Sequence, residues 1–280
     1  MGENQVLSLD FFASGYCEAH GRVANPKYGK GTEKFYATWA LIYLRETGYV
    51  LFDTGYAEHF QTATAPFPDR FYRWMTPVFI KKNETAKAIL AEKGISEKDI
   101  KYVIISHFHA DHIAGLKDFP SATFICSEAA LTEIKSLKGI KAVKKGVLHA
   151  LFPVDFYERV QTIEDFADKI TVSKEGLTTY FLFKNEQFKL IAIHGHAKGM
   201  LGFIFETDAK KIFFGTDASW SYDTYNQGIL PFKIVKLFFD SWTDFVETQQ
   251  KIRAFQDQNP MFTILFTHCE KTLNHISNEI

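Results

Sequence analysis

Short apolar runs separated by turn signals dominate the pattern along this chain, and such runs predict β-strands. In residues 36–53, apolar runs 36–44 and 49–52 flank the turn sequence Glu46-Thr47-Gly48 and predict a hairpin. Similar runs predict further strands at residues 102–106, 122–126, 179–183, 188–193, 202–206, 211–214 and 262–266. The pattern therefore predicts a protein with many short, buried strands.

Three helices are expected between these strands, each beginning after a polar capping residue. They run from the cap Asn83 through residue 91 to a stop at Gly94, from the cap Ser127 to about Leu137, and from Ser241 or Thr243 to about Gln256. Prolines argue against one long helix in the aromatic segment 66–79. Residues 138–175 are apolar in part but show no period, so no element is predicted there.

The order of these elements favours an α/β protein with two mixed sheets packed face to face and helices on the outside. The chain has 280 residues, of which 46% are hydrophobic, and it contains no internal repeat or low-complexity linker. We therefore expect a single domain over residues 1–280 with a full core.

Charge and cysteine content narrow the class of protein. The net charge is −1 and no basic stripe is present, so no nucleic-acid partner is expected. The three cysteines show no C-x-x-C spacing, so a disulfide framework is not expected. No apolar run reaches the ~18 residues of a membrane span, so no membrane partner is expected. No signal peptide is visible at the N-terminus, and a cytoplasmic location is the expectation.

Four metal-ligating side chains follow the predicted strand 102–106 within six residues. They are His107, His109, Asp111 and His112, in the pattern H-x-H-x-D-H. A lone histidine is more often structural than a ligand, but chance does not place three of the chain's 10 histidines and an aspartate in one such window. Imidazole and carboxylate ligands suit zinc and its first-row neighbours.

Three later strands are each followed by another candidate ligand. Strand 188–193 leads to His196, strand 211–214 to Asp217, and strand 262–266 to His268. Taken singly, Asp217 could cap a turn and His268 could bond the backbone. Because active sites of α/β proteins lie at the carboxyl ends of strands, we expect these residues to meet the first motif in one site.

The chain resembles the metallo-β-lactamase superfamily at these residues. The matching pieces, in the family's order, are Asp53-Thr54-Gly55, residues 107–112, Gly195-His196 with Gly199, Asp217 and His268. The resemblance implies an αββα sandwich with the site at the edge of its two sheets. It also makes His194 a weaker candidate than His196, because the family places the ligand just before a small-x-Gly segment, here Ala197-Lys198-Gly199.

The resemblance further implies two divalent metal ions, with zinc as the first expectation. By position, the ligands of one ion would be His107, His109 and His196, those of the other would be Asp111, His112 and His268, and Asp217 would bridge both. A shared carboxylate and a shared hydroxide reduce the repulsion between the cations, and bound water loses its proton near neutral pH. For Asp53 two interpretations stay open: it orients a histidine, or it is only a turn residue.

A closer resemblance is to the N-acyl homoserine lactone lactonases, carried by residues 11–17, 51–55 and 216–219 together with the H-x-H-x-D-H motif. It implies that a metal-bridging hydroxide attacks the lactone carbonyl and that Asp111 returns a proton to the departing alkoxide. Asp217 would share in the catalysis as the bridging acid. Where these lactonases have a tyrosine that helps bind the carbonyl, this chain has Trp220, and Tyr222 is a possible substitute.

The chain is also rich in aromatic residues, with 28 Phe. Phe71 and Trp74, in the segment between Asp53 and the first predicted helix, are candidates to bind the apolar acyl chain of a small lactone or ester. The second surplus, residues 229–232 together with 237–239, is a further candidate. The alternative is that both segments cover the core or form a homodimer interface.

Fold alone does not fix the substrate. The nearest alternative function is hydrolysis of another ester, a thioester such as a glutathione thiolester, or a phosphodiester. An alternative of a different class is a metal-binding sensor or scaffold that turns over no substrate.

Overall fold

Two β-sheets lie face to face at the centre of the computed structural model, which describes residues 5–27 and 31–277. The strands of the first sheet are β1 (Val6–His20), β2 (Thr32–Leu44), β3 (Gly48–Phe52), β4 (Val78–Phe79), β5 (Ile100–Ile104), β6 (Thr123–Cys126) and β7 (Val160–Thr162). Those of the second sheet are β8 (Lys169–Val172), β9 (Thr178–Phe181), β10 (Phe188–Ala192), β11 (Leu201–Glu206), β12 (Lys211–Phe214) and β13 (Thr263–Leu265).

Both sheets are mixed, as the sequence predicts. The spatial orders are β4-β1-β2-β3-β5-β6-β7 and β13-β12-β11-β10-β9-β8. Strands β3, β5, β6 and β7 run parallel to one another, as do β12 and β13, and the other pairs are antiparallel. Strands β10, β12 and β13 therefore share one direction, which brings their carboxyl ends to one edge of their sheet.

Helices cover the outer faces and the edges. Their bounds are α1 (His59–Ala63), α2 (Arg70–Met75), α3 (Ala86–Glu92), α4 (Ala110–Ile113), α5 (Glu128–Ser136), α6 (Ile140–Lys144), α7 (Phe156–Arg159), α8 (Ile163–Phe166), α9 (Tyr222–Gln227), α10 (Trp242–Gln258) and α11 (Glu270–Ser277). Short 3-10 turns lie at Gly21–Val23, Lys82–Glu84, Leu116–Asp118, His149–Leu151, Thr216–Ala218 and Lys233–Leu237. Within residues 5–27 and 31–277, every helix is too short or too polar to cross a lipid bilayer.

Alternate residues of the central strands enter two different cores. In β2, Ala40 and Ile42 face the second sheet, while Trp39 and Leu41 pack under the helices of the first layer. In β12, Phe214 lies between the sheets and its neighbour Phe213 lies under α10. Burial on both faces explains why these strands read as continuous apolar runs, and the layers form the expected αββα sandwich.

Much of the phenylalanine surplus fills the space between the sheets. The rings of Phe11, Phe52 and Phe214 surround Phe203 at centroid separations of 5.0–5.9 Å. These contacts bury large apolar surfaces in edge-to-face and offset geometries, which aromatic pairs favour. The core interpretation of the surplus is therefore correct for this group.

Two local expectations need correction. Asn83 is not the helix cap: it lies in a 3-10 turn, and the extended residue Thr85 caps α3 by accepting a hydrogen bond from the Ala88 amide (3.3 Å). The fifteen-residue strand β1 was not predicted. Its ladder is interrupted between Ala13 and Tyr16, where Gly15 adopts a φ of +70°, and this irregularity breaks the local alternation.

Other expected elements are confirmed within a few residues. The hairpin is β2–β3, Ser127 caps α5, and Ser241 caps α10 by accepting from the Asp244 amide (3.3 Å). Segment 66–79 contains no long helix, as its prolines predict. The stretch 138–175, where no element was predicted, holds helices of four or five residues and the short strands β7 and β8, all too short to show a period.

Candidate metal centre

The candidate ligands converge at the edge of the sandwich because each follows directly after a strand. The loop after β5 carries two of them, the helix α4 that continues this loop carries two more, and the loops after β10, β12 and β13 each carry one. In that order they are His107, His109, Asp111, His112, His196, Asp217 and His268. All seven belong to two groups of mutually close ligand atoms. His194, by contrast, is exposed and belongs to neither group.

The first group, the three-histidine cluster, consists of His107, His109 and His196. His109 Nδ1 lies 3.0 Å from His107 Nε2 and 3.0 Å from His196 Nε2. A tetrahedral zinc site with bonds of 2.0–2.1 Å separates its ligand nitrogens by about 3.3 Å. Burial lowers the pKa of all three imidazoles, that of His196 to about 3. The cluster therefore presents neutral nitrogens to a common centre.

The second group, the carboxylate–histidine cluster, consists of Asp111, His112, Asp217 and His268. Asp111 Oδ2 lies 3.4 Å from Nε2 of both His112 and His268. The two oxygens of Asp217 reach different partners: Oδ1 is 3.5 Å from His112 Nε2, and Oδ2 is 3.2 Å from His268 Nε2. Asp217 Oδ2 is also 3.3 Å from His196 Nε2, so this carboxylate lies between the two clusters.

In this second cluster, nearby charges shift each pKa in the direction opposite to the shift that burial causes. Burial raises the pKa of Asp111, but the neighbouring histidines outweigh it and hold that pKa at about 2; the pKa of Asp217 is also held well below its usual value. Burial lowers the pKa of His112, but the carboxylates of Asp111 and Asp53 outweigh it and raise that pKa well above 6.5. Asp217 likewise raises the pKa of His268. A cation that binds here must displace protons.

Unpartnered buried atoms test whether these residues fit metal ions. His112 Nε2 and Asp217 Oδ1 are buried and lie 3.5 Å apart, an ion-pair contact, but neither makes a hydrogen bond among the residues that the structure describes. A buried polar atom without a partner is costly, and both atoms point into the carboxylate–histidine cluster. Imidazole and carboxylate donors suit zinc, manganese, iron or cobalt. The residues therefore fit divalent cations.

Asp53 orients one of these histidines. Its Oδ2 accepts a hydrogen bond from His112 Nδ1 (2.8 Å), and its Oδ1 accepts one from the backbone amide of Ser106 (2.7 Å). In the neutral ring this bond keeps the proton on Nδ1, so that Nε2 offers its lone pair once the imidazolium loses its other proton. A φ of +63° at Asp53 belongs to the turn that aims this carboxylate. His268 is oriented similarly, since its Nδ1 lies 2.8 Å from the Tyr36 carbonyl.

Packing rather than hydrogen bonding orients His196. Its Nδ1 has no partner among the described residues. The ring lies edge-on to Trp220 (5.7 Å) and Phe239 (5.1 Å). The preceding Gly195 has a φ of +112°, and a Cβ there would collide with the Phe245 backbone of α10, so this close approach requires glycine.

Trp220 contacts the centre directly. Its Nε1–H donates to Asp217 Oδ2 at 3.3 Å, and its ring contacts His196. The indole donor is therefore committed to the carboxylate that lies between the clusters. The sequence gives Trp220 only as a substrate-binding candidate; the hydrogen bond adds a contact to Asp217 that sequence reasoning missed.

A cavity of about 540 Å³ leads to both clusters, and His109, Asp111, His196, Asp217 and His268 form its floor. Its walls are mostly apolar and include Phe35, Phe71, Met75, Val143, Ile234 and Phe238. Of the four residues expected to bind substrate, Phe71 and Trp220 line this cavity. The half-buried Tyr72, from the aromatic segment 66–79 that holds the acyl-chain candidates, also lines the cavity. The buried Tyr56 lines it too, and sequence reasoning did not single it out.

The other two expected substrate residues lie elsewhere. Trp74 packs edge-on against Phe67 and Phe71 on the surface and is not among the described residues that line the cavity. Tyr222 lines a neighbouring cleft of about 590 Å³, where the Lys271 Nζ lies 3.5 Å from the centre of its ring. Trp74 and Tyr222 therefore lie outside the cavity that Phe71 and Trp220 line, and substrate binding by them stays a prediction.

Comparison with known proteins places this geometry in a family. Residues 34–256, more than half of the chain, match the family description "Metallo-beta-lactamase superfamily". A curated relative, the N-acyl homoserine lactonase AttM of Agrobacterium fabrum, is 24% identical over 172 residues, which are 59% of this chain and 57% of AttM. The match thus spans less than two thirds of that relative's length.

Solved structures share the fold across nearly the whole chain. One is an N-acyl homoserine lactone hydrolase with the product N-hexanoyl-L-homoserine bound at its catalytic metal center; the TM-score is 0.72 at 18% identity, covering 97% of this chain and 96% of that one. Another is AidC, a dizinc quorum-quenching lactonase, with a TM-score of 0.62 at 15% identity, covering 96% and 89%. The fold, the strand-end ligands and the match over residues 34–256 agree, and the chain belongs to the metallo-beta-lactamase superfamily.

Proposed function

We propose that this metal-dependent hydrolase opens the lactone ring of N-acyl homoserine lactones and so inactivates quorum-sensing signals. The observation that carries the proposal is the apolar cavity whose floor contains both ligand clusters. A substrate with a polar ring and an apolar tail matches that distribution of surfaces. The curated relative AttM and the product-bound hydrolase structure support the same substrate class.

Each cluster would hold one divalent cation, with zinc as the first candidate. His107, His109 and His196 would hold the first, Asp111, His112 and His268 the second, and Asp217 would contact both. Bound cations of this type lower the pKa of a water molecule and polarise a carbonyl oxygen.

Residues of this chain would orient the metal ligands and transfer the proton during ring opening. Ring opening adds the oxygen of water to the carbonyl carbon, breaks the ring C–O bond and leaves a carboxylic acid and an alcohol. Asp111 lines the cavity and is placed to carry the proton from the water to the departing ring oxygen. The indole of Trp220 holds Asp217 through Nε1–H, and Asp53 holds His112.

The cavity walls would bind the acyl tail. Phe71 and Met75 of α2 contribute on one side, and Ile234 and Phe238 contribute from the segment before α10. Each methylene buried there contributes about 0.8 kcal/mol. Phe71→Ala should therefore weaken the preference for long chains, whereas Trp74→Ala, which changes a residue outside the cavity wall, should leave it unchanged.

The test is acid release by the purified, metal-loaded protein from N-hexanoyl- and N-decanoyl-homoserine lactone, with His109→Ala as the control. Release that the variant loses supports the proposal. If no lactone is opened by fully loaded protein, the lactonase proposal is wrong, and thioester and phosphodiester substrates measured in parallel identify the alternative. Retained metal without turnover of any substrate would indicate the sensor or scaffold alternative.

A further inference from the structure

The exposed apolar side chains of this protein are concentrated around one opening. Among the residues that the structure describes, sixteen large apolar side chains are exposed, and nine of them lie in residues 67–75, at Ile140 and in residues 232–238. We call these nine the apolar rim. Scattered exposed apolar residues are normal, but a contiguous group indicates an interaction surface.

The three parts of the apolar rim surround the mouth of the cavity over the metal centre. Phe71 and Met75 of α2, Ile140 of α6, and Ile234 and Phe238 all line that cavity. Phe67 and Trp74 pack edge-on against Phe71 beside this ring of residues. Trp74 is 60% exposed and Leu237 is 80% exposed, and neither is among the described residues that line the cavity. The rim is therefore wider than the cavity requires.

Positive charge is concentrated in the same segments. Residues 67–75, 138–146 and 232–239 together contain eight Lys or Arg and a single acidic residue, Asp69, although the whole chain has a net charge of −1. Lys138, Lys141, Lys144 and Lys233 are exposed. The composition of the rim, with aromatic and aliphatic side chains between lysines, thus differs from that of the rest of the surface.

We propose that the apolar rim docks the protein on an anionic lipid surface, with the cavity opening toward the lipid. Aromatic and leucine side chains enter the boundary between headgroups and acyl chains, while flanking lysines pair with anionic headgroups. The lack of a long apolar run predicts no membrane span, but docking on a lipid surface requires none. The proposal goes beyond the proposed function, since it does not depend on the substrate.

A second copy of the chain is the competing occupant. In a two-fold symmetric dimer through the rim, the same surface lies on both sides of the interface. The exposed Lys138, Lys141, Lys144 and Lys233 would then lie on both sides of the interface. Asp240, the acid that follows this segment, already pairs with Lys145 (3.6 Å), and like charges across an interface oppose association. Charge complementarity therefore favours an anionic lipid surface.

The test is co-sedimentation of the full chain with vesicles of phosphatidylcholine, alone or mixed with phosphatidylglycerol. We expect binding only to the mixed vesicles and release at high salt. Trp74→Glu and Leu237→Glu should each reduce partitioning about tenfold or more, and Lys141→Gln about fivefold. Met261→Glu is the matched control, because Met261 is 59% exposed but outside the rim, and it should bind like the wild type.

Two further measurements separate lipid docking from other causes. Brominated lipids should quench the tryptophan fluorescence of the wild type, and Trp74→Phe should lose most of that quenching, while circular dichroism and metal content check that each variant is folded. Failure of the wild type to bind mixed vesicles, or equal binding by Leu237→Glu, would overturn the proposal. So would a dimer in analytical ultracentrifugation that Leu237→Glu converts to monomers, since the rim would then be a self-association surface.

Discussion

The two ligand clusters are built from the same kinds of strand-end loops, yet they differ in charge. The three-histidine cluster contains no carboxylate, and burial lowers the pKa of each of its imidazoles. In the other cluster, carboxylates raise the pKa of His112 and His268 even though both are buried. The same residue type thus responds in opposite directions, because a nearby negative charge outweighs desolvation.

From this difference in pKa we expect the two clusters to differ in how many protons they release when they bind metal. The three-histidine cluster offers neutral nitrogens at neutral pH and needs no proton exchange. The carboxylate–histidine cluster stabilises itself by internal ion pairs, so a cation must compete with protons there. Asp217 connects the two, since its Oδ2 lies within 3.3 Å of His196 and 3.2 Å of His268.

The largest effect is expected at Asp217. Asp217→Ala removes the carboxylate between the clusters, and we expect metal content to fall in both and kcat/KM to fall at least about a thousandfold. Elemental analysis and lactone kinetics measure the two effects. If the variant keeps two ions per chain, Asp217 does not connect the clusters as its geometry indicates.

A smaller effect, limited to one of the two clusters, is expected from substitution of Asp53. Asp53→Asn replaces the acceptor that fixes the His112 tautomer, and we expect a loss of about 10–100-fold in metal affinity or activity, confined to the carboxylate–histidine cluster. Asp118→Asn is the matched control, since Asp118 accepts from His59 at 2.8 Å outside the two clusters. Equal losses in both variants would show a general effect on folding instead.

The pH dependence of metal binding should separate the clusters further. His112 and His268 have raised pKa values, so they stay protonated above pH 6.5, and affinity at their cluster should rise as pH rises through those raised values. The histidines with lowered pKa values are already neutral there, so affinity at their cluster should be nearly flat above pH 6.5. Calorimetric titration of chelator-treated protein in buffers of different ionisation enthalpy measures the protons released. Equal proton release at both sites would contradict this assignment.

The smallest effect is expected at a glycine that supports His109. Gly146 has a φ of +72°, and a Cβ there would lie 2.4 Å from His109 Cδ2, whereas Gly94 has a φ of +74° and open space around it. Gly94→Ala should cost about 1–2 kcal/mol of stability from backbone strain alone. Gly146→Ala should cost more and weaken metal binding at the three-histidine cluster only. Thermal unfolding and metal titration compare the two variants. If both lose the same stability and bind metal equally well, contact with His109 is not the reason that residue 146 is glycine.

Local sequence determined most of the strands, the layers and the identity of the seven clustered side chains. Strand periodicity and capping depend on neighbouring residues, and the short run 107–112 keeps four donors close together by chain geometry alone. The errors were also local: Asn83 and Thr85 are both good caps, and only the backbone conformation chooses Thr85. In β1, the irregularity near Gly15 obscured the alternation.

The tertiary structure alone decided which contacts orient these residues and which aromatic side chains face the cavity. The bond from His112 to Asp53 joins residues far apart in the chain. The bond from Trp220 to Asp217 depends on the direction of a side chain. The sequence could not separate Phe71, which faces the cavity, from Trp74, which faces outward. The physical reason is that residue type and spacing fix local conformation, whereas distance and orientation between loops are fixed by how the two sheets pack.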